Sequence, residues 1–192
     1  MRNGGSIAGV WPSILQALYL FLPAYAANVA PVVAKRFHLF PFLAWPLDRG
    51  CILYQQRLFG PHKTFRGILV GILAAIGTAA LQRLAVQRSE FFVSLSSEPH
   101  VLYSPILWGG ALGGGALLGD LLKSFIKRRF GIPPGQRWLP WDQLDLAIGA
   151  VLIGRLFYPF SWTTILIILI ATPLLGLLAN IGGYLVSLKE AW

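Results

Sequence analysis

Five apolar stretches, each close to the ~20 residues that an α-helix needs to cross the hydrocarbon core of a bilayer, dominate this chain. They run over about 12–34, 67–86, 105–123, 144–160 and 162–187, with basic loops after the first and the third. In hydrocarbon every backbone N–H and C=O must be satisfied within the protein, so such stretches fold as helices. With 56% of its 192 residues hydrophobic and only 12% charged, the chain is too apolar for an ordinary soluble domain. The expectation is an all-α integral membrane protein with about five transmembrane helices, forming a single polytopic domain over residues 1–192.

Local signals refine these spans. Pro23 and Pro31 predict a kink or a re-entrant stretch in the first. Ala24-Tyr25-Ala26 resembles a signal-peptide cleavage site, but only Arg2 precedes it as an n-region charge and the apolar run continues beyond it, so the segment is read as retained. The fourth and fifth spans, joined around Pro159 and Ser161, read as an antiparallel hairpin. Trp11, Trp108, Trp138, Trp141 and Trp162 fall near predicted span ends, where an indole belt is expected. The glycines from Gly109 to Gly119 repeat small residues at four-residue spacing, a pattern for close helix packing that would hold Asp120 at a fixed position.

Loop charge orients the bundle. Lys35, Arg36, Arg49, Arg57, Lys63 and Arg66 lie between spans one and two, and Lys127, Arg128, Arg129 and Arg137 between spans three and four. The positive-inside rule then puts the N-terminus outside and the C-terminus, with Lys189, in the cytoplasm, so the loops at about 35–66 and 124–143 are cytoplasmic. The net charge of +9 thus lies where it fixes topology and meets anionic lipid or phosphate. No basic stripe with interleaved stacking aromatics accompanies it, so nucleic acid is not an expected partner. A lone Cys51 excludes an internal disulfide and a Cys-based metal cage.

Against this background the acidic residues stand out, because three of the seven, Asp120, Asp142 and Asp145, fall at one membrane face among Lys and Arg. A charge near mid-membrane costs about 2.5–3.5 kcal/mol on insertion scales, so Asp120 at the junction needs a partner. If the third helix continues past it, Asp120, Lys123, Ser124 and Lys127 share one face, until Pro133-Pro134-Gly135 ends the helix. Asp142 and Asp145 share a face at the start of span four, near the positive end of its dipole. A hard divalent cation bridging carboxylate and phosphate oxygens accounts for the cluster, and oxygen-only ligands favour magnesium over zinc. The structural alternative is that Asp142 is an N-cap and Lys127, Arg128 and Arg129 are topology signals. In the first loop, Lys63, Thr64 and Arg66 form a candidate phosphate-binding strip. The Gly60–Thr64 spacing is not a P-loop, since His62 stands where the Walker pattern requires Gly. His62 alone points to no role.

Taken together, Pro-Ala-Tyr-Ala-Ala-Asn28-Val-Ala-Pro31, Pro-Leu-Asp48, Phe-Gly60-Pro-His-Lys63-Thr64-Phe-Arg66-Gly67, Gly-Asp120-Leu-Leu-Lys-Ser124-Phe-Ile-Lys127-Arg128-Arg129 and Pro-Trp-Asp142-Gln-Leu-Asp145 resemble the CDP-archaeol synthase family. That family is more distantly similar to phosphatidate cytidylyltransferases. The resemblance implies a magnesium-dependent cytidylyltransferase that moves CMP from CTP to a lipid phosphate of archaeol type and releases pyrophosphate. By that resemblance Asp120, Asp142 and Asp145 hold Mg2+ and, with Lys127, form the catalytic set. Asn28, Asp48, Lys63, Thr64, Arg66, Ser124 and Arg128 are then the substrate-binding candidates. A small transporter of an anionic solute is the alternative, though it gives the three Asp residues no clear task. The residues name neither the lipid nor an oligomeric state, and they leave Arg155, within span four, unexplained.

Overall fold

The computed structural model describes residues 7–96, 103–136 and 138–185, with side chains from Trp11 to Leu178. Helices dominate: α1 (Ile7–Leu20), α2 (Leu22–Arg36), α3 (Phe65–Arg88), α4 (Glu90–Leu95), α5 (Pro105–Arg129), α6 (Trp141–Gly154) and α7 (Trp162–Leu185). The long loop between α2 and α3 carries a 3-10 turn at Pro41–Leu43 and a two-stranded antiparallel hairpin, β1 (Ile52–Leu53) with β2 (Gln56–Arg57).

The first apolar stretch is broken, as its prolines predict. α1 and α2 meet at 52°. The break falls just before Pro23, which sits in the first turn of α2, where its missing N–H costs nothing. Pro31 stays inside α2 without ending it. Gln82 of α3, itself 5% exposed, donates to the Tyr19 carbonyl next to the break. The other boundaries follow side-chain chemistry. Thr64 caps α3 by accepting from the Gly67 N–H at 3.1 Å, and Ser104 caps α5 by accepting from Leu107 at 3.2 Å. α5 stops earlier than Pro133 would stop it. Gly131 turns left-handed at φ 70°, its N–H bonds the Arg128 carbonyl and the Ile132 N–H bonds that of Lys127, which is the Schellman pattern.

By length and composition α3 and α5 can each cross a membrane, and the bent α1–α2 pair has the length and composition of a third, broken span or of a re-entrant loop. α6 is shorter than the stretch 144–160 predicted. Its 14 residues reach about 21 Å, less than the ~30 Å hydrocarbon core, before the chain turns through 155–161 into α7. Trp108 also departs from the expected indole belt. It is 1% exposed, stacked on Tyr103 and edge-on to Phe160, in a core shared with Phe21, Leu112 and Ile168. Trp11, Trp141 and Trp162 do lie at the surface. Arg155, unexplained by the sequence, lies 5.2 Å over the Trp162 ring at the turn between α6 and α7.

Small residues set the depth of packing. A Cβ on Gly119 would lie 2.1 Å from the Asp145 carbonyl oxygen, and one on Gly149 would lie 2.1 Å from that of Gly115. α5 and α6 therefore cross backbone to backbone, immediately beside Asp120 and Asp145.

Candidate active site

The glycine crossing brings the acidic residues of two helices to one point. Asp120 projects from α5, while Asp142 and Asp145 come from the first turns of α6. All three carboxylates turn toward the Lys123 ammonium, at 3.1 Å for Asp120, 3.2 Å for Asp142 and 2.7 Å for Asp145. Lys63 reaches in from the first loop to the other oxygen of Asp120. Lys127, one turn beyond Lys123, holds both oxygens of Asp142 at 3.0 and 2.8 Å. Asp142 is not the N-cap of α6. Pro140 occupies that position, and Asp142 instead accepts the Trp138 N–H at 2.5 Å, tying the approach of the loop to the ion-pair network.

Beside this network opens a cavity of about 230 Å³, walled by the Phe59–Lys63 loop, by Lys123, Ser124, Lys127 and Arg128 of α5, by Pro134–Gln136 and by Asp142. Its lining is strongly cationic. Arg128 is only 5% exposed, and its Nε and Nη1 have no acceptor among the described residues. A buried guanidinium with unmet donors is costly unless a ligand supplies the oxygens. Ser124 lies on the same wall with its hydroxyl donated to the Asp120 carbonyl at 2.7 Å.

His62 also lines this cavity. Burial, together with the positive charges of Lys35, Lys63 and Arg128, holds its pKa below the ordinary imidazole value, so the ring is neutral at pH 7. Neither His62 nor Lys123 carries a site role in the sequence reading. For Lys123 the available signal is its i+3 spacing from Asp120; for His62 there is none beyond its place before Lys63.

The remaining candidates lie elsewhere. Asp48 faces its own loop: its carboxylate accepts from Arg57 at 2.5 Å and from the N–H groups of Gly50, Phe59 and Gly60. Burial opposes its charge, but Arg57 and those N–H groups outweigh it and lower the pKa to about 2. Thr64 is engaged as the cap of α3. Arg66 donates to the Leu39 carbonyl at 3.3 Å, and Asn28 is exposed on α2; neither lines the cavity.

As a metal site the donor set has the right chemistry, since three carboxylates supply hard oxygens and already face one cation. In the structure that cation is the Lys123 ammonium. Among the described residues no three Asp, Glu, His or Cys side chains form a ready-made cage.

Comparison with known proteins agrees with the motifs. The CarS-like family model, described as CDP-archaeol synthase, matches residues 10–192. The CDP-archaeol synthase of Methanospirillum hungatei is 38% identical over 181 residues, covering 88% of this chain and 98% of that protein. That of Methanococcus maripaludis strain C5 is 35% identical, covering 93% and 96%, and that of Thermofilum pendens 33% identical, covering 93% and 80%. The solved structure of an intramembrane enzyme for archaeal membrane lipids biosynthesis is 35% identical and superposes with a TM-score of 0.70, over 88% of this chain and 94% of that one. Matched along nearly its whole length in sequence and in fold, this membrane protein belongs to the CDP-archaeol synthase family.

Proposed function

We propose that the chain catalyses transfer of CMP from CTP to a lipid phosphate of archaeol type, giving a CDP-lipid and pyrophosphate. The observation that carries this reading is Arg128, a buried guanidinium with unmet donors opening on a cavity flanked by Lys63, Lys123 and Lys127. Such a site favours a multiply charged anion. The family membership narrows that anion to a nucleoside triphosphate and a lipid phosphate.

In the reaction an oxygen of the lipid phosphate attacks the α-phosphorus of CTP, the bond to the β-phosphate breaks, and its electron pair leaves on pyrophosphate. Arg128 and Lys127 bind one anion and Lys63 the other, which brings two mutually repelling reactants within reach. Ser124 orients a phosphate oxygen. No general base is needed, because the attacking phosphate is already ionised at neutral pH. Asp120, Asp142 and Asp145 would hold Mg2+, whose bound charge would help to neutralise the phosphates. The loops at about 35–66 and 124–143 face the cytoplasm of the cell membrane. The bent α1–α2 pair, α3, α5, α6 with its following turn, and α7 make five passes, with the N-terminus outside.

The reaction is tested by pyrophosphate release from CTP in detergent, with and without an archaeol-type phosphate. Lipid-dependent release that falls by at least a hundredfold in Arg128→Gln supports the reading. Release without lipid, or an unimpaired Arg128→Gln, refutes it.

A further inference from the structure

Arg129 follows Arg128 in sequence, yet the two guanidinium groups serve different surfaces. Arg128 faces the cavity; Arg129 reaches the hairpin in the α2–α3 loop and donates to the carbonyls of Leu53, Gln56 and Arg57 at 2.5, 3.3 and 2.9 Å. Its guanidinium also lies 5.1 Å over the Phe125 ring, which in turn packs on Phe59 at 6.4 Å. The hairpin it grips turns through Tyr54 and Gln55 at φ 49° and 61°. Left-handed backbone is unfavourable for residues with a Cβ, and hairpins of this type prefer Asn-Gly there. The turn is therefore held by contacts outside itself, and Arg129 supplies three of them.

From the hairpin the contacts continue to the cavity. Arg57 pairs with Asp48, whose other oxygen accepts the N–H groups of Phe59 and Gly60 at 3.3 and 3.0 Å. Phe59 and Gly60 form the cavity wall that leads directly into His62 and Lys63. Gly60 is left-handed at φ 103°, which lets the chain turn inward at that point.

We propose that Arg129 is a positioning residue for the nucleotidyl-transfer reaction. Acting through the hairpin, Arg57 and Asp48, it holds the Phe59–Lys63 wall against α5 and so places Lys63 at the cavity without touching substrate. The proposal rests on the cytidylyltransferase reading, and its test separates the two.

Wild type, Arg129→Gln, Arg129→Lys, Asp48→Asn and the Arg129→Gln/Asp48→Asn double variant are compared in detergent by amide hydrogen exchange over residues 48–63 and by CTP kinetics. Lysine keeps the charge but cannot span three carbonyls, so both Arg129 variants are expected to lose protection at Phe59 and Gly60 by about tenfold. The KM for CTP rises about tenfold while kcat stays within about threefold. Asp48→Asn gives the same split, and the double variant is no worse than the worse single one, because both changes break one linkage. Wild-type exchange and KM in Arg129→Gln, full rescue by lysine, or additive losses in the double variant would overturn the proposal. If the wild-type protein does not use CTP, the exchange experiment still decides whether Arg129 holds the wall, and only the reaction reading fails.

Discussion

Lys123 and Arg128 sit a few residues apart on α5 in opposite electrostatic situations. Three carboxylates within 3.2 Å neutralise Lys123, whereas Arg128 is buried with donors unmet among the described residues. In the proposed reaction the first would supply acceptor oxygens to a metal and the second donors to an anion. Asp145→Asn is expected to lower kcat a hundred- to a thousandfold while leaving the thermal unfolding midpoint nearly unchanged, since Lys123 retains two partners. Parallel turnover and unfolding measurements check this. His62 gives a pH signature. Its depressed pKa means that stability is fully present above about 6.5 and declines as pH falls from there toward the folded value, where the unfolded chain binds the proton first. A bound anion offsets the Lys35, Lys63 and Arg128 charges and raises that pKa, so that His62 takes up a proton on binding. As pH falls through the ordinary imidazole range, the affinity for CTP should therefore rise more steeply in wild type than in His62→Gln, as titration calorimetry can show. At this scale the carboxylates were legible, because an Asp beside a membrane span needs a reason. The task of Arg129 was not. Its partners are backbone carbonyls more than seventy positions away in the chain, and a carbonyl leaves no mark in sequence.

At the scale of elements, the site depends on how closely α5 and α6 cross. Gly119→Ala would drive a methyl group into the Asp145 carbonyl, which has no room to yield, and part the helices at the acidic cluster. We expect a loss of about 1–3 kcal/mol of stability and a larger loss of activity. Gly110→Ala, with nothing within 4 Å of its new Cβ, should be neutral. Thermal unfolding of the two variants side by side distinguishes the crossing from a general intolerance of α5. The glycine repeat did announce close packing, and the prolines announced the α1–α2 break. The ends of α5 and α6 were harder to read. Pro133 looked like the stop for α5, but Gly131 reverses the chain sooner; the apolar run 144–160 looked like one continuous helix, but that helix ends at Gly154. Apolar residues in a turn look the same in sequence as apolar residues in a helix.

For the whole molecule, the bundle and the loop form one device. The helices supply a rigid acidic and basic face on α5 and α6, and the loop between α2 and α3, braced by Asp48 and Arg129, supplies the opposing wall with Lys63. In the proposed reaction that arrangement would bring a water-soluble triphosphate to the membrane face where a lipid phosphate resides, as a cytidylyltransferase requires. The most direct measurement is transfer of label from α-labelled CTP into lipid by the purified protein, with magnesium or with EDTA, offering archaeol-type phosphate and phosphatidate side by side. We expect magnesium-dependent labelling, with archaeol-type phosphate preferred. No label in either lipid from a folded preparation, or label undiminished by EDTA, would contradict it.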